Sequence, residues 1–210
     1  MPPKSPEGGL KDLGLIASIT NNYMIEDIKK ALEVLRKGGT ILYPTDTIWG
    51  IGCDTTNPDA VKRVYEIKKR NDNKSMLVLL DEVLRLNEYV SQVPDIAWDL
   101  IEVTDSPLTI IYPGAKNLAS NIVAPDGSVG IRITHDEFCK RLIGQFKKPI
   151  VSTSANVSEK SAPANFTEID PAIIDAVDYV VQWRQDDYTH YAPSGIIKLG
   201  LKGEVQVIRK

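Results

Sequence analysis

Tyr43-Pro-Thr-Asp-Thr-Ile-Trp-Gly-Ile-Gly52 is the stretch from which the rest of the chain is read. Residues 40–43 before and into it are β-branched or apolar and predict a buried strand, which Pro44 ends because proline has no N–H to give to a ladder. Thr45 and Thr47 then flank Asp46, so two hydroxyls and one carboxylate leave the end of a strand together. Gly50 and Gly52 predict a loop in which the backbone bends or approaches a ligand closely, ahead of a helix. A structural turn bonded to its own Asp46 is the alternative, since polar turns at strand ends serve structure as well as binding.

Outward from this stretch, apolar periodicities alternate between strand and helix. Met24, Ile28, Ala31, Leu32 and Leu35 fall on one face at helical spacing, and Gly38-Gly39 is a natural stop. Asn57-Pro58 reads as the N-cap and first residue of a second helix, with Val61, Val64 and Tyr65 as its stripe and Lys68 at its end. The apolar run 76–80 predicts a strand buried on both faces, Asp81-Glu82 opens a helix through Leu86, and 94–103 is helical. Further strands are predicted at 108–112, 129–133, 150–153, 179–182, 196–199 and 205–208, with a helix carrying Phe138, Leu142 and Phe146 between the second and third. The short link 200–203 predicts a closing hairpin. The expected architecture is a single α/β domain over 13–210, a twisted mixed parallel/antiparallel sheet with flanking helices, preceded by a loose tail over 1–12.

Composition narrows the function classes. The 210 residues are 42% hydrophobic and 25% charged, which is ordinary globular composition, and no apolar run approaches the roughly 18 residues of a membrane span. The formal net charge of -3 gives no overall attraction for nucleic acid, so such binding requires a local patch. Cys53 and Cys139 are too few for a disulfide scaffold, and His135 and His190 form no ligand-spaced pair, so no metal cage is expected. Cys53 has no histidine near it in sequence to activate it and reads as a structural thiol. The first residues have no apolar core of a secretory signal, and the cytoplasm is the expected compartment.

Neither a Gly-x-Gly-x-x-Gly after a strand nor a Gly-x-x-x-x-Gly-Lys-Ser/Thr is present, so a phosphate would need another solution. Lys68-Lys-Arg-Asn-Asp-Asn-Lys74 places four cations at and beyond a helix end, where they can clamp a polyphosphate or merely complement the helix dipole in solvent. Ser152-Thr-Ser-Ala-Asn-Val-Ser158 sends four hydroxyls and an amide off a strand end. Arg132 lies inside an apolar strand, where a buried guanidinium requires an anionic partner, either a ligand carboxylate or one of the 28 acidic residues of the chain. Ser194-Gly195 adds a hydroxyl at a strand start.

Taken together, Tyr43-Pro-Thr-Asp-Thr-x-x-Gly-x-Gly52, Lys68-x-Arg70 with Lys74, Ser128-Val-Gly-Ile-Arg132 and Ser154-Ala-Asn-x-Ser158 resemble, in order, the motifs of the threonylcarbamoyl-AMP synthase family, the YrdC/Sua5-like proteins, in their short form. The resemblance implies a domain folded around a large concave cavity. It implies synthesis of L-threonylcarbamoyl-AMP from L-threonine, bicarbonate and ATP with release of pyrophosphate, for the t6A modification of tRNA by downstream transfer machinery. By position, Thr47, Arg132, Ser154 and Ser194 would face threonine, while Lys68, Arg70, Lys74, Ser128 and Asn156 would face ATP, with Lys68 and Arg70 catalytic. Magnesium on the phosphates is expected with them. Ser75-Met-Leu-Val-Leu79 departs from the usual Pro-Leu-Ile-Val-His, Gly195 stands in place of a threonine and Trp49 in place of a tyrosine. Two other classes remain open from the residues: an RNA-binding or ribosome-associated protein using a basic patch that includes Lys62, Arg63 and Lys69, and a nucleotide sensor without turnover.

Overall fold

The computed structural model describes residues 9–69, 76–158 and 160–210, with side chains from residue 22 onward. Helix α1 (Gly9–Arg36) buries Met24, Ile28, Ala31, Leu32 and Leu35, the anticipated face, and it ends before Gly38 at a φ of 79°. Its start at Gly9 lies inside the stretch expected to be tail. Strand β1 (Ile41–Tyr43) stops at Pro44 as read from the sequence, but Gly50 and Gly52 are not in a loop. They form β2 (Gly50–Gly52), antiparallel to β1. The reason is steric: a Cβ on Gly52 would sit 2.7 Å from Cε1 of the Tyr43 ring and 3.0 Å from the Val151 carbonyl oxygen. Only glycine lets the strand cross that ring, whose hydroxyl donates to Val151 O at 2.9 Å.

Helix α2 (Pro58–Ile67) begins as expected, with the Asn57 side chain accepting from the amides of Asp59 and Ala60. Strand β3 (Leu77–Leu80) follows, and its continuous apolar run reflects a central position. The helix expected from residue 81 is reduced to a 3-10 turn (Val83–Arg85) and the single turn α3 (Leu86–Tyr89). Then come α4 (Asp95–Val103), β4 (Leu108–Tyr112), β5 (Val129–Ile133), α5 (Glu137–Phe146), β6 (Ile150–Ser154), a one-turn α6 (Pro171–Ile174), β7 (Tyr179–Val180), β8 (Gly195–Leu199) and β9 (Val205–Arg209).

The strands run in the order β7-β1-β2-β6-β3-β5-β4-β8-β9. Pairs β1–β7, β3–β5 and β4–β8 are parallel and the rest antiparallel, so the sheet is mixed, and β8–β9 is the closing hairpin. Register decides what shares a face. Leu79 pairs with Arg132, Arg132 with Thr109, Thr109 with Ile196, and Ile196 with Arg209. Directly paired residues project to the same side, so one row across five strands carries two arginines on one face. Replacing Gly52 with alanine is expected to destabilise the chain by about 1 to 3 kcal/mol through overpacking against Tyr43, and denaturant titration of Gly52→Ala beside Gly52→Ala/Tyr43→Leu measures the relief.

Candidate active site

The cavity on that face has a volume of about 230 Å³. Its wall includes Thr47, Arg132, Ser154 and Ser194, the four residues expected at the threonine end, together with Trp49 and Arg209. Thr47 comes from the loop between β1 and β2, Arg132 from the floor of the sheet, Ser154 from the end of β6, and Ser194 from the residue before β8.

Arg132 is 2% exposed. Its Nη1 donates to Thr47 Oγ1 at 2.7 Å and lies 2.9 Å from Asp46 Oδ1, and Nη2 reaches Thr45 Oγ1 at 3.5 Å. The internal ion pair, one of the two readings of this arginine, is therefore formed, and the same side chain also lines the cavity. Its Nε has no hydrogen-bond partner. A buried guanidinium donor left in that state favours an acceptor from outside the chain. The loop above it is self-braced: Thr45 Oγ1 accepts the Thr47 amide at 3.0 Å, meets Thr47 Oγ1 at 2.9 Å and donates to Ile48 O at 2.9 Å. On the opposite wall, Ser194 Oγ and Thr109 Oγ1 are 2.8 Å apart, and Ser194 O accepts Arg209 Nε at 2.9 Å.

Arg209 is the residue sequence reasoning missed. It makes no ion pair among the described residues, and burial, then the nearby Arg132 charge, pull its pKa below the ordinary guanidinium value. Two like charges facing one void raise the local affinity for anions. The available signal was Val-Ile-Arg209 at a strand end, the same pattern as Gly-Ile-Arg132.

The residues expected at the ATP end are placed differently. Lys68 is 1% exposed and does not line the cavity. Its Nζ donates to Ser154 O at 2.5 Å, Asn156 O at 2.7 Å and Asn156 Oδ1 at 3.3 Å, which braces the turn carrying Ser154. Asn156 turns its amide to Lys160 O and Val157 O. Ser128 directs both its amide and its hydroxyl to Asp126 Oδ1, at 3.0 and 2.6 Å. Arg70 and Lys74 lie outside the described residues. Leu79 sits beside Arg132 in the cross-sheet row, yet it is fully buried and not part of the wall. Burial pushes the thiols of Cys53 and Cys139 well above the usual range, so neither is a nucleophile at neutral pH.

A family model described as "Telomere recombination", the Sua5/YciO/YrdC model, matches residues 33–210. The chain belongs to this family. A putative threonylcarbamoyl-AMP synthase of Methanocaldococcus jannaschii is 34% identical over 194 residues, 89% of this chain and 90% of the relative. The threonylcarbamoyl-AMP synthase of Pseudoalteromonas translucida is 32% identical over 157 residues, 73% and 84% of the two chains. Among solved structures, Escherichia coli YciO superposes with a TM-score of 0.75 at 24% identity over 87% of this chain and 88% of its own. Sua5 of P. abyssi complexed with L-threonine gives 0.73 at 23% identity, over 82% of this chain and 50% of that one; both likenesses carry the fold.

Within this Sua5/YciO/YrdC chain, Lys68 contributes to stability as well as being a motif residue. The bonds to Ser154 and Asn156 make it a brace of the fold, not a solvated helix end. Lys68→Ala is expected to lose about 2 to 4 kcal/mol, since buried carbonyl acceptors are left unpaired. Urea titration checks this, and a loss below about 0.5 kcal/mol, the scale of a surface substitution, would return Lys68 to a solvated helix end.

Proposed function

We propose that this chain is a threonylcarbamoyl-AMP synthase, an enzyme that forms L-threonylcarbamoyl-AMP from L-threonine, bicarbonate and ATP and releases pyrophosphate, supplying the t6A modification of tRNA. The observation that carries the reading is the convergence of Thr47, Arg132, Ser154 and Ser194 on one small cavity in a chain of this family. The cavity volume of about 230 Å³ is below the roughly 300 to 1,000 Å³ of pockets that enclose a drug-sized ligand. It suits an amino acid, with the nucleotide extending beyond it.

In this reading the orphaned Arg132 Nε takes an oxygen of the threonine carboxylate, while Asp46 and Thr47 hold the guanidinium in plane. The hydroxyls of Thr47, Ser154 and Ser194 face the threonine hydroxyl and amine. The amine adds to bicarbonate and water leaves, giving the carbamate. A carbamate oxygen then attacks the α-phosphorus of ATP, and the α–β bridging oxygen departs with pyrophosphate. No enzyme nucleophile is needed, so positioning and charge supply the catalysis. Arg209 at the mouth stabilises phosphate charge, and Arg70 and Lys74 of the motif are assigned the same task, with Lys68, Ser128 and Asn156 shaping the walls of the ATP end. Among the described residues no three His, Cys, Asp or Glu side chains group to hold a metal; magnesium would enter this reaction on the phosphates of ATP. Also among the described residues, no helix is long and apolar enough to cross a membrane. Action in the cytoplasm, contact with tRNA, and hand-over to separate transfer machinery belong to the same proposal.

The assay is pyrophosphate release with ATP and bicarbonate fixed and the amino acid varied, with mass analysis of the adenylate. Threonine is expected to be preferred, with serine and valine distinctly poorer, because a site built to hydrogen-bond a hydroxyl discriminates against its absence. Nucleotide binding without release would make the chain a sensor, and release independent of any amino acid would overturn the synthase reading. Arg209→Ala is expected to weaken turnover by about 10- to 150-fold, the loss of one charge-assisted contact, and unchanged kinetics in that variant would remove Arg209 from the site.

A further inference from the structure

Arg184 stands in the segment 181–194 that joins β7 to β8. Its φ is 64°, in the left-handed region that L side chains occupy only where their surroundings over-determine them. The guanidinium supplies that constraint. Nη1 donates to Thr45 O and to Asp136 Oδ2, both at 3.1 Å, while Nε and Nη2 donate to Asp187 Oδ2 at 3.2 Å. Its plane lies over the Tyr191 ring, 5.0 Å from the centroid.

The partners lead to three places: Thr45 to the loop of Thr47, Asp136 to α5, and Asp187 with Tyr191 to the segment of Arg184 itself. Asp136 caps α5 by accepting the Cys139 amide at 2.9 Å, and the adjacent His135 amide donates to Asp46 Oδ2 at 3.3 Å. Tyr191 OH donates to Asp187 Oδ2 at 3.0 Å, and the Tyr191 amide donates to Ala164 O at 3.3 Å. Asp187 is kept charged: the Thr189 hydroxyl and amide, then Tyr191 and Arg184, bring its pKa down to about 2. Thr45 carries the loop whose Thr47 lines the cavity, and the segment of Arg184 ends at Pro193 and Ser194 on the opposite wall. One side chain therefore ties the Thr47 loop, the start of α5 and the Ser194 segment to each other.

We propose that Arg184 is a positioning residue that sets the spacing between the Thr47 wall and the Ser194 wall of the cavity. It is not part of the wall and acts through the Thr45 carbonyl, because the Thr45 hydroxyl on the same residue receives the Thr47 amide. The proposal rests on the reading of this cavity as the threonine site.

The test compares Arg184→Ala with Arg184→Gly in the full chain. Both remove the three destinations of the guanidinium, but glycine accepts a positive φ and recovers part of the melting temperature lost by alanine. In both variants KM for threonine is expected to rise roughly ten- to hundredfold, the scale of a displaced binding group. KM for ATP should move by less than about threefold, because the ATP contacts are not displaced. Amide exchange at Thr47, measured without substrate, should accelerate equally in both. A threonine KM that recovers with melting temperature in the glycine variant would reduce Arg184 to a stability role and overturn the proposal, as would unchanged Thr47 exchange. A wild-type chain without threonine-dependent turnover would sink the synthase reading instead, and the exchange measurement would then decide the role of Arg184 alone.

Discussion

A guanidinium almost fully removed from water must be surrounded by acceptors, and the region around the cavity is arranged to provide them for Arg132. Asp46 supplies charge, and Thr45 and Thr47 supply hydroxyl oxygens. These acceptors come from a loop, so the loop must be held at one height above the sheet. The antiparallel pairing of β1 with β2 fixes both of its ends, and the Tyr43 ring beneath Gly52 fixes how closely those strands pass. A change in any of these would leave a buried charge partly unpaired, which costs far more than the loss of a surface contact. The polar turn, the two glycines and the arginine, separated by some eighty residues in the chain, thus answer one electrostatic requirement.

Lys68 presents the same requirement with a different solution. Its ammonium is satisfied in part by backbone carbonyls at the end of β6, so a cation on α2 determines where Ser154 points. Two wall residues are therefore positioned by buried cations: Thr47 by Arg132, which also lines the cavity, and Ser154 by Lys68, which does not. Arg209 differs from Arg132 because it keeps no acid partner among the described residues, although its Nε donates to Ser194 O and its side chain lines the cavity. Arg132 and Lys68 thus hold the surroundings of the cavity through internal contacts, while Arg209 adds a second guanidinium to its lining.

The cross-sheet row explains why an apolar residue at position 79 does not disturb this arrangement. Leu79 is the register partner of Arg132 but is covered completely, so its apolar side chain does not meet the cavity. The row Arg132, Thr109, Ile196, Arg209 then continues across β4, β8 and β9 to the edge of the sheet, which makes the C-terminal hairpin a part of the site and not only a closing element.

The sequence by itself determined the local units: the apolar face of α1, the Asn57-Pro58 start of α2, the stop at Pro44, the buried run of β3, the hairpin at 200–203, and the polar stretches that carry Thr47, Arg132, Ser154 and Ser194. These follow from periodicity, capping and the missing N–H of proline, which act over a few residues and are legible in one dimension. The tertiary structure alone decided that Gly50 and Gly52 lie in a strand, because the pairing with β1 brings the Tyr43 ring, nine residues from Gly52, against Gly52 where it leaves no room for a side chain. It alone decided that Lys68 is buried, since the carbonyls that receive it lie more than eighty residues on. It also brought Arg209 beside Arg132, through a register across four strands. Burial and charge pairing are properties of which distant groups are brought within a few ångströms, and no local pattern encodes that distance.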